Sequence, residues 1–284
     1  MDANQIAWAA EMACLLEVSA EKPGNVTRRH DFHDTSFEDF LISASAIGPA
    51  LRNATKVSVG ETILSAIQAT RKFVGVNTNL GIVLLLAPLA KAACLYPSQN
   101  LKTSVKTVLN NLTVDDTRLT YEAIRLAKPA GLGKSDRYDL NEIAVDITLI
   151  QAMEEARDRD AVSREYVTGY QITFDTGLVC LKETLNKGAR RSEAIVQTFL
   201  TILAKVPDTL IARKNGMSIA QDVSDRANTI LKNGGIFGDK AEIQKFDLAL
   251  RDKQHKLNPG TTADVVAATL FAALLESENL LFQR

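Results

Sequence analysis

The sequence predicts an all-α protein, folded as a single multi-helix domain over residues 1–277 with its functional site in the loops between helices. Leucine, alanine and charged residues, which favour helix by intrinsic propensity, dominate the chain. Apolar residues recur at helical spacing, and the alternating runs typical of strands are nearly absent. With 284 residues, 46% of them apolar, the chain can bury a sizeable core.

The first helix is predicted at 4–18, where apolar residues such as Ile6 and Ala13 share one face. Ser36 and Asp39 resemble a capping box, with Asp in place of the usual Glu, and we expect them to open a helix that reaches about residue 51.

The next helix is predicted at 60–74 and ends at Gly75, a residue type typical of helix C-termini. A strongly apolar helix follows at 82–96 and ends before Pro97. Further helical patterns cover residues 101–109, 116–127, 140–157, 163–186, 190–205, 218–232, 240–251 and 262–275. The loop 128–138 is the best candidate for flexibility. Residues 278–284 resemble a protease-cleavage tag, so the predicted domain ends at residue 277.

Composition excludes several classes of protein. The formal net charge of −1 argues against general nucleic-acid binding. The first residues lack a basic segment before an apolar run, so we expect no signal peptide, and the apolar run 81–90 is too short to span a bilayer. Cys14, Cys94 and Cys180 are widely spaced, which indicates core cysteines in a reducing cytoplasm.

A polar stretch follows the first helix and contains the sequence Lys22-Pro-Gly-Asn-Val-Thr-Arg28. Pro and Gly together predict a turn. So many charged residues beside a core helix form either a solvated loop or a functional site. His30 and His33 are three residues apart without a clear helix, a weak metal pattern, so we interpret them as surface or supporting histidines.

A second polar stretch, Asn258-Pro-Gly-Thr-Thr-Ala-Asp264, predicts a helix that starts near Thr261 or Thr262. A helix start offers unpaired N–H groups that can hold phosphate, and Asp264 could hold a Mg²⁺ that bridges to the phosphate. The alternative is simple capping of the helix by one of the two threonines, with Asp264 favouring the dipole.

Two further segments complete the pattern. Gly75-Val-Asn-Thr-Asn-Leu-Gly81 is a polar link between helices, in which Asn77, Thr78 and Asn79 either bond a ligand or close an Asx turn. Asp208-Thr-Leu-Ile-Ala-Arg213 follows a proline; on its own, it reads as a helix cap and a solvated charge.

Together these four motifs, in this order, resemble the triphosphoribosyl-dephospho-CoA synthase family, and they span most of the chain. The sequence departs from the family pattern at Asn79, where His is usual, at Leu80, where Lys is usual, and at Leu210, where Asn is usual. These departures suggest a divergent branch, similar to relatives in archaea and one-carbon-metabolising bacteria.

The resemblance implies a role for each motif. Lys22 and Arg28 would bind phosphate oxygens, and Asp208 and Asp264 would hold Mg²⁺. Glu17 is the candidate general base. The remaining candidates for substrate and phosphate binding are Gly24, Asn77, Thr78, Asn79, Arg213, Gly260, Thr261 and Thr262.

The implied reaction moves a phosphorylated ribosyl group from ATP to a hydroxyl of dephospho-CoA and releases adenine. One alternative is phosphoribosyl transfer from phosphoribosyl pyrophosphate to a pterin precursor in tetrahydromethanopterin biosynthesis. Another is a nucleotide-binding module without chemistry. We expect a nucleotide donor and a cofactor-precursor acceptor as partners, neither nucleic acid nor membrane, and homo-oligomerisation is left open.

Overall fold

Helices account for nearly all regular structure in a computed structural model that describes residues 1–129, 146–277 and 280–282. Within these residues no β-strand forms, and the one isolated bridge joins Thr27 to His30. The helices are α1 (Ala3–Ser19), α2 (Phe37–Ala46), α3 (Gly48–Arg52), α4 (Val59–Arg71), α5 (Leu80–Leu95), α6 (Leu101–Asn110), α7 (Val114–Ala127), α8 (Leu149–Ala156), α9 (Ala161–Thr168), α10 (Val179–Asn186), α11 (Arg191–Lys205), α12 (Thr209–Asn215), α13 (Met217–Lys232), α14 (Lys240–Leu250) and α15 (Gly260–Glu276), with 3-10 turns at Asn53–Thr55 and Gly235–Phe237 and a π-helical segment at Ile172–Leu178.

Two helices, α5 and α15, form the centre of the molecule. Both are apolar on every face and buried along almost their whole length, as expected for helices surrounded by others. They pack against each other and against α1. One hydrophobic cluster extends through the chain from Ile6 to Leu281. Because α1, α5 and α15 share this core, the loops at their ends are held in fixed positions.

A proline inside α5 is accommodated by two tyrosines. Pro88 has no N–H, so the carbonyl of Leu84 loses its helical partner. The hydroxyl of Tyr166 donates to that carbonyl at 2.7 Å, and the hydroxyl of Tyr170 donates to the carbonyl of Leu85 at the same distance. Both tyrosines are fully buried, which means that α9 and the residues after it are fixed against the central helix.

The prediction of an all-α fold is confirmed, and most predicted helices differ from the observed ones by a few residues at each end. The helix expected from Ser36 to about residue 51 is wrong in one respect, because it breaks after Ala46 and restarts at Gly48 with Pro49 in its first turn. The helix α12 is absent from the predicted helical patterns, although the interpretation of Asp208 as a helix cap anticipates its start. The predicted helix 140–157 and the loop 128–138 lie partly outside the described residues.

The continuous helix expected at 163–186 is also wrong. Gly169 and Tyr170 both have left-handed backbone angles, with φ of 67° and 63°, and end α9. The carboxylate of Glu165 then accepts hydrogen bonds from the N–H groups of Ile172 and Thr173, which starts the π-helical segment. A buried side chain thus redirects the backbone where local propensity favoured one long helix.

The described part of the tail packs on the body. The ring of Phe282 lies 5.9 Å from that of Trp8 and beneath the guanidinium of Arg191, and Leu281 is buried. The three cysteines are unpaired. No single helix in the described ranges has the length and apolar character to cross a bilayer, although the bent pair Arg191–Lys205 and Thr209–Asn215 meets the criterion by length and composition alone.

Candidate functional site

A cleft of about 850 Å³ lies where the four polar motifs meet. The motif residues in its wall are Asn25, Val26, Gly75, Val76, Asn77, Thr78, Asn79, Leu80, Gly81, Leu210, Arg213, Asn258, Gly260, Thr261, Ala263 and Asp264, and Glu17 at the end of α1 lines it as well. Motifs separated by most of the chain therefore face one cavity, because the ends of the central helices bring their loops together.

Lys22 does not line this cleft. Its ammonium group is buried, forms an ion pair with the Glu17 carboxylate at 3.0 Å, and donates to the backbone carbonyls of Glu17 and Ala20. An ammonium has three donors, and these contacts use all of them. The geometry thus gives Lys22 a structural role, in place of the phosphate contact expected from the sequence.

Gly24 and Arg28 also lie away from the cleft. The N–H of Gly24 donates to the carboxylate of Asp247 at 2.8 Å, which ties the turn to α14. The side chain of Arg28 is exposed on the outer surface of the loop and is absent from the cleft wall. In this part of the chain, the polar side chains that line the cavity are Glu17, at the end of α1, and Asn25, rather than the two predicted cations.

Asp208 is a helix cap, so its expected role as a metal ligand does not fit the structure. One carboxylate oxygen accepts from the N–H groups of Leu210 and Ile211, at 2.9 and 3.0 Å. The other accepts from the N–H and the hydroxyl of Thr262, at 2.7 and 2.8 Å. With four bonds made and 2% exposure, Asp208 joins the starts of α12 and α15 and has no oxygen free for a cation.

The same contacts correct the expectation for the start of α15. The helix begins at Gly260 with no side-chain cap of its own, so capping by a threonine is also wrong. Thr262 gives its N–H to Asp208 and is turned from the cleft, whereas Gly260 and Thr261 line it. An incoming phosphate can thus meet the first residues of the helix but not the N–H of Thr262.

Asp264 lies in the wall of the cleft with no side-chain hydrogen bond among the described residues, although it is mostly shielded from water. Its carboxylate is so close to Gly81 that a Cβ at that position would approach Oδ2 to 2.1 Å. Burial first, and then the nearby carboxylates of Glu17, Asp208 and Asp160, raise the pKa of Asp264 well above its ordinary value.

Glu17 lies in the same wall and is 3% exposed. Burial raises its pKa, and the ammonium of Lys22 opposes this shift. A buried carboxylate with a raised pKa can hold a proton closer to neutral pH than an exposed one, which is the property that a general base or acid requires.

Arg213 enters the cleft held by a carboxylate that the sequence analysis missed. Its guanidinium donates to Asp160 at 2.7 Å, and Asp160 in turn caps α9 through the N–H groups of Val162 and Ser163. Asp160 is a residue type favoured at helix N-caps, but nothing in the sequence indicates its contact with Arg213.

The link between α4 and α5 presents its polar side chains to the cleft, and each already has a protein partner. The side-chain oxygen of Asn77 accepts from the N–H of Leu80, three residues on, at 3.1 Å. The hydroxyl of Thr78 bonds Ser43 at 2.5 Å, and the amide of Asn79 donates to Thr70 at 3.0 Å. The bond at Asn77 closes the link locally but reaches one residue further than an Asx turn, and the three side chains are fixed before any ligand arrives.

A polar atom without a partner lies in the first motif. The amide of Asn25 donates to Asn258 at 2.6 Å, but its oxygen, although buried, accepts no hydrogen bond from the described residues. Such an atom costs free energy unless a ligand or water bonds it. Because Asn25 lines the cleft, a substrate hydroxyl or amino group would satisfy it.

The remaining wall of the cleft has a cationic part and an apolar part. Cationic side chains that the sequence analysis did not single out, namely Arg71, Lys128, Arg159 and Lys214, surround the cleft together with Arg213. An apolar part is formed by Leu84, Tyr121, Ile124, Met153 and Val162. This arrangement suits a ligand with both an anionic group and a flat or aliphatic group.

Carboxylates in the wall also fit a hard divalent cation. Oxygen ligands are those that Mg²⁺ prefers, and one or two carboxylates beside substrate phosphates are its usual protein environment. Asp264, which has no bonded partner among the described residues, fits this role, and Glu17 and Asp160 lie close enough to it to raise its pKa. Asp208 does not fit, as its bonds show.

Comparison with known proteins gives the chain a family. The model of the CitG family, described as ATP:dephospho-CoA triphosphoribosyl transferase, matches residues 3–281. A relative from Malonomonas rubra is 25% identical over 97% of this chain and 89% of its own length. A relative from Vibrio cholerae is 25% identical over 90% of this chain and 83% of its own. Both are described as 2-(5''-triphosphoribosyl)-3'-dephosphocoenzyme-A synthases.

A solved structure agrees with these relatives. The crystal structure of a protein from Archaeoglobus fulgidus, described as a triphosphoribosyl-dephospho-CoA synthase, superimposes with a TM-score of 0.67 and 28% identity, over 84% of this chain and 99% of that one. None of these relatives supports the pterin alternative. The chain therefore belongs to the CitG family of ATP:dephospho-CoA triphosphoribosyl transferases, enzymes that transfer a triphosphoribosyl group from ATP to dephospho-CoA.

Proposed function

We propose that this chain transfers the triphosphoribosyl group of ATP to a ribose hydroxyl of dephospho-CoA. A C1′–O bond to the acceptor forms as the C1′–N bond to adenine breaks, and adenine leaves with a proton in place of that bond. The observation that carries the proposal is the meeting of four separated motifs in one cleft, with the carboxylates of Glu17 and Asp264 and several cations in its wall.

The carboxylates would stabilise the reacting centre. Displacement at an anomeric carbon develops positive charge on the ribose ring, as in glycoside cleavage, and negative groups placed beforehand stabilise that charge. Glu17 would accept the proton of the incoming hydroxyl, since burial raises its pKa. The pair with Lys22 fixes the orientation of the Glu17 side chain.

Phosphates would be bound at the cationic part of the cleft. Arg213 and Lys214, together with the first residues of α15, face this region. Asp264 would hold Mg²⁺ against the phosphate oxygens, and the ion would supply neutralisation of the triphosphate charge. The apolar residues Tyr121, Ile124 and Met153 offer a surface on which adenine can stack or a pantetheine arm can lie.

The cytoplasm is the expected compartment, because ATP and dephospho-CoA are formed and used there and the three cysteines are free thiols.

The departures at Asn79 and Leu80 remove a titratable ring and a cation from the cleft wall. Arg213 and Lys214 supply cations to the same cavity and would bind phosphate in place of a lysine at residue 80.

Release of adenine tests the proposal. The protein is incubated with Mg-ATP, with and without dephospho-CoA, and free adenine is measured by chromatography. We expect release that depends on the acceptor and is reduced at least about 100-fold in Arg213→Ala. Arg28→Ala is the matched control, since this arginine lies outside the cleft, and it should retain activity.

Other outcomes would overturn the proposal. Pyrophosphate release from phosphoribosyl pyrophosphate with a different acceptor, and no adenine from ATP, would assign another donor. Calorimetric binding of Mg-ATP without turnover of either donor would indicate a nucleotide-binding module. Equal loss of activity in the Arg28 and Arg213 variants would show that phosphate binds elsewhere.

A further inference from the structure

Two of the three histidines in the chain meet at the mouth of the cleft. The Nδ1 atom of His33 lies 2.9 Å from the Nε2 atom of His255, although 222 positions separate the residues in sequence. The carboxylate of Asp34 completes a group whose ligand atoms all lie within 4.8 Å of one another. Asp34 and His255 also line the cleft.

The position of the His255 ring is fixed by several contacts. The ring of Phe32 stacks on it, with 3.8 Å between centroids and 14° between planes. The ammonium of Lys214 donates to the carbonyl of His255 at 3.2 Å. The backbone of His255 is left-handed, with φ of 50°, a conformation that costs free energy in a residue other than glycine. These contacts orient the imidazole toward His33 rather than leaving it free in solvent.

The lone pair on Nε2 of His255 faces the group. The backbone N–H of His33 donates to this atom at 3.3 Å, so Nε2 acts as an acceptor and the ring carries its proton on Nδ1. A neutral imidazole nitrogen with a lone pair is the form that a metal ion binds, and an ion at this position would replace the long contact from the His33 N–H. In His33 the nitrogen that faces the group is Nδ1.

The spacing of the two nitrogens matches a metal site with little adjustment. Nitrogen ligands lie at about 2.0–2.1 Å from Zn²⁺, and a tetrahedral angle then puts them roughly 3.3 Å apart. The observed 2.9 Å requires the rings to separate by a few tenths of an ångström. Three protein ligands leave a fourth position for water, as in open zinc sites.

We propose that His33, Asp34 and His255 bind a divalent transition metal ion of the Zn²⁺ type at the mouth of the cleft. Two imidazoles and one carboxylate favour such an ion over Mg²⁺, which prefers oxygen ligands in octahedral geometry. The ion would tie the loop between α1 and α2 to the loop before α15, and so hold together two segments that border the cleft. The site differs from the one proposed for Mg²⁺ at Asp264 and does not depend on the proposed reaction.

Metal binding tests this inference directly. Tag-free protein is stripped with a chelator, dialysed, and titrated with Zn²⁺ by calorimetry and with Co²⁺ by visible absorption. We expect one ion per chain and a tetrahedral Co²⁺ spectrum without a thiolate charge-transfer band. His33→Asn and His255→Asn should each weaken binding by about 100-fold or more, since loss of a ligand should cost at least as much as the loss of a residue that merely orients one.

His30→Asn is the matched control. His30 lies on the same loop, its contact with Thr27 uses only backbone atoms, and it is not part of the group. This variant should bind Zn²⁺ as the wild type does. Zn²⁺ should raise the melting temperature of the wild type and of His30→Asn, but not of His33→Asn or His255→Asn. Asp264→Asn should also retain Zn²⁺ binding.

Two results would overturn the inference. Absence of stoichiometric binding in the wild type would show that the two histidines share only a hydrogen bond. Unchanged affinity in the His33 and His255 variants would place the ion elsewhere, for example at a cysteine. Circular dichroism at the binding temperature verifies that each variant is folded.

Discussion

The carboxylate of Asp264 lies in the cleft in surroundings that lower the stability of the folded protein. Its carboxylate is mostly shielded from water, has no bonded partner among the described residues, and lies near Glu17, Asp208 and Asp160. Each of these conditions disfavours the charged form. Such a group is retained where its charge is used, and sites of this kind often trade stability for activity.

Replacing Asp264 with Asn should therefore change stability and activity in opposite directions. We expect at least about a 100-fold loss of adenine release and a gain of about 1 kcal/mol in the free energy of unfolding at pH 7.5. Because the folded-state pKa of Asp264 is raised, the wild type is most stable at low pH. Its free energy of unfolding falls as pH rises past the ordinary carboxyl range. The gain of the variant should thus disappear near pH 4. Full activity with unchanged Mg²⁺ dependence would contradict the assignment.

Lys22 illustrates how a charged residue in a recognisable motif can serve the fold. Its ammonium and the Glu17 carboxylate are both buried, with side-chain exposures of 1% and 5%. Removal of one partner leaves an uncompensated charge in a region of low dielectric, at a cost of about 3–5 kcal/mol. The pair places Glu17 beside the cleft and so links structure to chemistry.

Lys22→Met should destabilise the protein by about 3–5 kcal/mol in denaturant unfolding. Addition of Glu17→Gln should restore most of this loss, because the uncompensated charge is then removed. Arg28→Ala, on the exposed side of the same loop, should leave stability within about 0.5 kcal/mol. A higher KM for ATP in Lys22→Met, without loss of stability, would instead support direct phosphate binding by Lys22.

At the scale of elements, the segment from α9 to α10 shows where sequence reasoning stops. Periodicity predicted one helix at 163–186, and the structure has α9, a π-helical segment and α10. The break depends on Glu165, whose carboxylate is fully buried and bonds two N–H groups of the next turn. A glutamate at an apolar face is visible in the sequence, but which backbone groups it bonds depends on tertiary packing.

Glu165 should make stability depend on pH. Burial raises its pKa from 4.5 to about 7. The folded state then holds a proton that the unfolded state releases, so the contribution to stability is complete below pH 4.5 and is lost as pH rises through about 7. The loss amounts to about 3 kcal/mol. Glu165→Gln should lack this decline, as measured by urea unfolding of both proteins between pH 4.5 and 8; parallel curves would show that Glu165 has an ordinary pKa.

The candidate site was predictable at the level of motifs and not of contacts. The sequence indicated which four segments carry polar groups, because turns, helix starts and a family resemblance mark them. It could not separate Asp264, which faces the cleft, from Asp208, which caps two helices, since both stand near helix starts. The sequence does not mark Asp160 and Lys214 as site residues, because their positions depend on how α9 and α12 pack.

At the scale of the whole molecule, the cleft is built from both ends of the chain. Glu17 and Asn25 come from its beginning, Asn77 to Asn79 from the link between α4 and α5, and Asp264 from its last long helix. A ligand that contacts all of these segments binds the folded state alone, since unfolding separates them. The cleft therefore couples substrate binding to global stability.

Mg-ATP should consequently stabilise the entire chain against thermal unfolding. At a ligand concentration 100 times the dissociation constant, the expected gain is about 2.7 kcal/mol, which corresponds to roughly 4–5 °C in melting temperature for a chain of this size. Asp264→Asn and Arg213→Ala should each reduce the shift, whereas Arg28→Ala should retain it. The measurement is differential scanning calorimetry with Mg-ATP and with Mg²⁺ alone. A shift that persists in the Asp264 and Arg213 variants and vanishes in the Arg28 variant would place the nucleotide on the outer surface of the first loop, and the cleft would then have to serve the acceptor.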